Sequence, residues 1–179
     1  MPKIVDHDAQ RALLLDGAFE FFADCGYAAL SMRGLASRLE TTTGVLYHYF
    51  DTKNAIFEQA LMRSTERHIT DALMVIRLDM PLSKRLQTLA RWLHQHQDDL
   101  KRTLLLALDA QRQAPDAQTA ISQAAKRFAE ALENHFGSQS GLWPTILGTL
   151  IASQLNGEPL TLVDLTELVL PSGPAFEVA

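Results

Sequence analysis

Apolar residues recur every three or four positions along almost the whole chain, and no stretch alternates strictly like a half-buried strand, so the fold class is all-α. Leu13, Leu14, Ala18, Phe21 and Phe22 mark the buried face of a first helix over 8–25, which Gly26 ends. Met32, Leu35, Ala36 and Leu39 form a second, shorter stripe, with Ser31 standing in the N-cap place. The pattern breaks over 40–42, and Thr42 can cap a third helix running through Val45, Leu46 and Phe50, the residues expected to fix it to the second. Asp51 is expected to cap a long helix to residue 78, carrying Ile56, Phe57, Ala60, Leu61, Ile69, Leu73 and Ile76. Pro81 ends it, and further helices are predicted over 82–97, 100–113, 117–136, 142–155 and 160–170. The breaks between the later ones fall at Pro115-Asp116, at the polar GSQSG segment and over 156–159. No internal repeat is present, and the PSGPAFEVA tail over 171–179 is expected to be loose.

Residues 31–53 concentrate the chemistry. Two short helices around a tight turn make the unit that sets its second helix in the DNA major groove. Thr42 and Thr43 lie at the amino end of that second helix, where free amides and the helix dipole favour a phosphate oxygen. Gly44 has no side chain, so the backbone there can approach a base edge. Tyr47 and Tyr49 offer hydroxyls to phosphate, and His48 can donate to a base or to the DNA backbone. Arg33 and Lys53 flank the unit and supply positive charge, and Ser31 at its start joins the candidate contacts. A helical hairpin with surface aromatics also occurs in proteins that never meet DNA, so the shape alone is weak evidence.

The run from Leu30 to Lys53 resembles the DNA-binding signature of the tetracycline-repressor (TetR) family of bacterial transcription regulators. The similarity extends back through Ala18, Phe19, Phe22 and Gly26-Tyr27, and covers roughly residues 10 to 60, about a third of the chain. It implies an N-terminal three-helix reading domain over 1–52 and a helical regulatory and dimerisation domain over 53–170. It further implies operator binding as a dimer, with release when a small ligand enters the larger domain. Carried over by position, the DNA contacts become Arg33, Thr42, Thr43, Gly44, Tyr47, His48, Tyr49 and Lys53. Two residues depart from the pattern. Glu40 stands where a glycine is usual in the turn and is expected to strain it or repel a phosphate; Val45 replaces a common threonine or serine and can pack on a thymine methyl.

The chain has 179 residues, 47% hydrophobic and 21% charged, which suits an ordinary globular protein. No apolar run approaches the ~20 residues of a membrane span, and no secretory apolar stretch opens the chain, so a cytoplasmic location away from membranes is expected. The single Cys25 excludes an internal disulfide and, beside Phe21 and Phe22, reads as an unreactive apolar thiol. His94 and His96, about 200° apart on a helix, cannot chelate together, and no phosphate loop or nucleophile elbow appears. Neither a metal, a cofactor nor an enzymatic activity is expected. The net charge of −5 is unusual for a DNA binder, and residues 1–60 hold five Lys or Arg against eight Asp or Glu. That balance predicts weak non-specific DNA binding with a shallow salt dependence.

The segment 142–155 is apolar nearly all round, with Gly148 and Ala152 four apart for close helix approach, and Leu162, Leu165, Leu168 and Val169 stripe the last helix. Both could finish the monomer's core. The resemblance implies instead a homodimer built from these two helices, through Leu142, Gly148, Ile151, Ala152, Leu155, Leu162, Leu165 and Val169. Trp92, His96, Leu105, Leu108, Phe128 and Trp143 are candidate walls of a pocket for a small apolar or aromatic ligand, or simply core. The expected function is a DNA-binding transcription regulator, a ligand-responsive repressor on a palindromic operator. The rival reading is a helical adaptor that has lost operator binding and binds a protein, which the acidic head would suit.

Overall fold

The computed structural model describes residues 6–137 and 141–170, so the expected loose tail and the middle of the GSQSG segment lie outside the described residues. Helices α1 (His7–Cys25), α2 (Met32–Arg38), α3 (Thr43–Tyr49), α4 (Lys53–Val75), α5 (Leu82–Gln113), α6 (Gln118–Phe136), α7 (Leu142–Asn156) and α8 (Leu162–Val169) follow in order, with a 3-10 turn at Pro115–Ala117. No strand occurs among the described residues, and none of the helices is long and apolar enough to cross a membrane.

Side-chain caps account for several helix starts. The Asp6 carboxylate accepts the N–H groups of Asp8 and Ala9 and opens α1. Thr52, not Asp51, opens α4: its hydroxyl accepts the Ala55 N–H at 3.0 Å and its carbonyl accepts that of Ile56. Thr161 and Asp164 form a reciprocal capping box at α8.

Two expectations are corrected. The helices expected over 82–97 and 100–113 are one, α5, because Asp98 and Asp99 are weak helix formers rather than breakers and nothing between them requires a turn. The buried face of α1 is Leu14, Leu15, Ala18, Phe19 and Phe22, whereas Leu13 is 67% exposed and Phe21 only half-buried. In a run of three leucines the spacing fits two neighbouring registers, and the phenylalanine Phe19 decides between them.

The chain divides into two compact units. The first takes the residues up to Arg67 together with Arg102–Lys126, and the second takes His68–Lys101 and the residues from Arg127 onward. The first unit's core joins Phe22, Leu35, Leu46, Phe50, Ile56, Phe57 and Leu61 to Leu106, Ala110, Ala114 and Ala117. Phe22, Tyr27 and Phe57 stack at its centre, with ring centroids 5.3–5.8 Å apart. In the second unit Ile76, Leu86, Leu89, Leu93, Ile146, Leu150, Leu165 and Val169 are buried. There Gln97 grips the segment before α8 from both sides: its Nε2 donates to the Leu160 carbonyl at 3.0 Å and its Oε1 accepts the Leu160 N–H at 2.9 Å.

Candidate nucleic-acid interface

Everything that shapes the reading hairpin lies in the first unit. The Ser31 hydroxyl accepts the Gly34 N–H at 3.1 Å and starts α2; the Thr42 hydroxyl accepts the Val45 N–H at 3.2 Å and starts α3. Each hydroxyl keeps its own proton and can still donate to a phosphate. Between the two helices the chain closes a Schellman turn, with the Thr41 N–H on the Ala36 carbonyl at 2.9 Å and the Glu40 N–H on that of Ser37 at 3.3 Å. Such a turn needs one left-handed residue. Glu40 takes that role at φ +51°, the one non-glycine residue with positive φ among those described.

α3 is anchored by Leu46 and by Phe50 just beyond its end, both buried. Its remaining positions are turned out: Tyr47 is 55% exposed, Gly44 and His48 are exposed and Thr43 is half-buried. A Cβ added at Gly44 would meet nothing nearer than the Thr42 hydroxyl at 3.7 Å, so the helix surface there is open. Val45, expected to help fix α3, lies at the border of exposure at 36%, because its position faces away from the side that carries Leu46 and Phe50. Arg33 and Ser31 are exposed on the neighbouring helix start.

Two of the proposed contacts are engaged elsewhere in the protein. Tyr49 is half-buried against the core, and its hydroxyl lies 3.0 Å from Nδ1 of His7 in the first turn of α1. Lys53 donates from Nζ to the Tyr27 carbonyl at 3.0 Å and sits 4.0 Å above the Tyr27 ring. Burial lowers the pKa of the Lys53 ammonium, and burial, followed by the charges of Asp116 and Glu58, raises that of the Tyr27 phenol.

The acidity of the head has a structural outlet. Asp16, Glu20 and Asp24 follow one another at i, i+4 and i+8 along α1, and each meets an arginine. Arg63 makes a two-pronged bond to Asp16 at 2.7 and 2.9 Å, and Arg102 reaches Glu20 at 3.1 Å and Asp24 at 2.7 Å. His7 and Asp109, which hold Tyr49 and the Tyr27 backbone, were not signalled by local sequence, since their partners lie 42 and 82 residues away.

The six candidate pocket residues are divided between the two units. Leu105 and Leu108 belong to the first unit and are 45% and 43% exposed. In the second unit Trp92 stacks on His96 at 4.6 Å with His68 edge-on at 6.4 Å, and Phe128 stacks on Trp143 at 5.1 Å. Of the proposed dimer residues, Gly148, Ala152, Leu155 and Leu162 are exposed and Leu142 and Ile151 half-buried. Leu165 and Val169 are buried within their own unit, at 1% and 2% exposure. Among the described residues no three His, Cys, Asp or Glu side chains gather as a metal site.

Comparison with known proteins bears on the same segment. Residues 14–60 match the family model for bacterial regulatory proteins of the tetR family. An HTH-type transcriptional repressor of Mycobacterium tuberculosis is 38% identical over 69 residues, a stretch covering 37% of each chain, so the chain spans little more than a third of that relative. The HTH-type transcriptional regulator BetI of Escherichia coli is 24% identical over 180 residues, covering 89% of this chain and 90% of that one. Among solved structures, Salmonella enterica GusR superposes with a TM-score of 0.71 at 16% identity, over 93% of this chain and 96% of the other. The capped hairpin and the open face of α3 lie in a segment, residues 14–60, that belongs to the tetR family of bacterial regulatory proteins, and the helical fold of the chain is that of solved structures such as GusR.

Proposed function

We propose that the protein is a ligand-responsive repressor that binds a palindromic operator as a homodimer. The observation that carries this reading is α3 itself: a helix pinned from below by Leu46 and Phe50, presenting Thr43, Gly44, Tyr47 and His48 outward. Thr43, Gly44, His48 and Arg33 read base edges, while Thr42, Tyr47 and the hydroxyl of Tyr49 hold phosphates. Lys53 must leave the Tyr27 carbonyl to join them, so it contributes charge near the groove rather than a preformed contact.

The partner subunit packs against the exposed Gly148, Ala152, Leu155 and Leu162, and the two recognition helices then lie roughly 34–36 Å apart, one turn of DNA. Residues 1–52 form the reading domain and 53–170 the regulatory one. A small apolar or aromatic ligand among the second unit's stacked rings favours a state whose helix spacing no longer fits the operator, and α4, separated from α3 by three residues, carries that change.

Selection of duplexes from a random DNA library by the purified protein tests the reading, with Tyr47→Ala run beside it. Enrichment of a palindrome by the wild type, weakened at least tenfold (roughly one phosphate contact with its packing) in the variant, is the expected result. A folded protein that enriches no sequence at low salt would overturn it and turn attention to a protein partner.

A further inference from the structure

We propose that His7 belongs to the DNA-reading surface: its ring sets the direction of the Tyr49 hydroxyl, so that operator affinity rises when His7 takes up a proton. The inference rests on the DNA-binding reading above and adds to it a residue outside the hairpin.

The geometry is a three-ring cluster at the open end of the head. His7 Nδ1 lies 3.0 Å from the Tyr49 hydroxyl. The His7 ring centroid is 6.0 Å from those of both His48 and Tyr49, and the latter two are 5.0 Å apart. His7 and His48 are exposed, so solvent protons reach both. Among the described residues, the charged groups nearest His7 in sequence are Asp6, Asp8 and Arg11. Asp6 is occupied by the Asp8 and Ala9 amides, Asp8 is adjacent in sequence, and Arg11 lies over the Phe50 ring at 5.5 Å. From α3 the titratable neighbours are His48 and Tyr49.

The bond has two polarities. A phenol O–H is a better donor than a neutral imidazole N–H, and an imidazole nitrogen is a better acceptor than a phenol oxygen. With neutral His7, therefore, Tyr49 donates its proton to Nδ1 and has none left for DNA. A phosphate oxygen only accepts, so Tyr49 in that state cannot hold one. When His7 takes a proton from solvent, both ring nitrogens carry hydrogen, Nδ1–H donates to the Tyr49 oxygen, and the hydroxyl proton is released to point outward. The same event places a positive charge beside the groove. Histidines as a class change charge between about pH 5 and 8, which sets the range to scan.

The test is affinity for the selected duplex from pH 8 to 5.5 at constant salt, with circular dichroism confirming the fold at each end. Wild type should tighten on the order of tenfold as pH falls, with the salt slope steepening by about 0.9 for each added phosphate contact. His7→Gln should bind with little pH dependence, Tyr49→Phe should lose most of it, and His48→Gln should keep it. Calorimetry in buffers of different ionisation enthalpy should show protons taken up on binding by wild type and not by His7→Gln. Selective binding that is flat with pH, or a dependence that survives His7→Gln and vanishes in His48→Gln, overturns the proposal alone. Absence of selective binding at every pH removes the DNA-binding reading and this inference with it.

Discussion

The Asp109 carboxylate accepts the backbone N–H of Tyr27 at 2.8 Å, across 82 residues of chain. It thereby ties α5 to the turn that leads from α1 into the reading hairpin. The Tyr27 amide belongs to a buried residue, and removing its acceptor leaves a donor without a partner. Asp109→Ala should therefore cost about 1–3 kcal/mol in urea unfolding, and Asp109→Asn, which keeps an acceptor oxygen, distinctly less. Gly26→Ala attacks the same joint from the other side. Gly26 sits at φ +81°, and a Cβ there would come 3.0 Å from Oδ2 of Asp109. A loss of roughly 1–3 kcal/mol is expected, and an unchanged midpoint for either Ala variant would refute this account of the joint.

Glu40 is the position where the sequence works against its own turn. A left-handed residue with a Cβ costs roughly 1–2 kcal/mol, and glycine adopts that conformation freely at some cost in chain entropy. Glu40→Gly should raise stability by about 0.5–1 kcal/mol in the same unfolding assay. It also removes a carboxylate from the hairpin, so non-specific DNA affinity at low salt should rise. A destabilised Glu40→Gly protein would show that the glutamate has a compensating contact.

Leu155 is 81% exposed on α7, a position where a large apolar side chain gains nothing from its own chain. Leu155→Arg should leave the helical content and thermal midpoint of the monomer unaltered while shifting sedimentation from dimer to monomer. On the proposed reading, in which two heads share one palindrome, operator affinity should fall by a factor far larger than any single contact supplies. A Leu155→Arg protein that still sediments as a dimer would relocate the interface.

At α8 the prediction concerns acid. Hydrogen bonds from the Thr161 hydroxyl and then its backbone N–H hold the Asp164 carboxyl below its usual pKa. The folded value lies below the unfolded one, so this contribution is complete above the ordinary carboxylate range near pH 3.9 and is lost as pH falls through the depressed value. Amide exchange in α8 should therefore accelerate relative to α1 as pH drops from 6 to 3, after correction for intrinsic rates. Asp164→Asn should abolish that acid-dependent difference.

What could be read from the sequence was what is decided within a turn or two of helix. Ser31 and Thr42 cap α2 and α3 as their spacing predicts, and Leu46 and Phe50 anchor α3 because they stand four residues apart. The register of α1 is not fixed locally, because Leu13, Leu14 and Leu15 suit two faces equally and packing against distant residues makes the choice. The continuity of α5 through Asp98 and Asp99 and the inward turn of Lys53 toward Tyr27 are likewise tertiary outcomes. The acidity of residues 1–60 is legible as charge but not as pairing, since Arg63 and Arg102 come from other helices.

Leu106, Ala110, Ala114 and Ala117 share one core with Phe22, Leu46 and Phe57. A reading head grafted from this protein by cutting after the hairpin would leave behind the very residues that close its underside. Chimeric regulators that join its first sixty residues to a foreign sensor should therefore inherit a wet, loosened head and lose operator affinity, however well the junction is chosen. Transplanting Arg102–Lys126 as a second insert is what such an exchange requires.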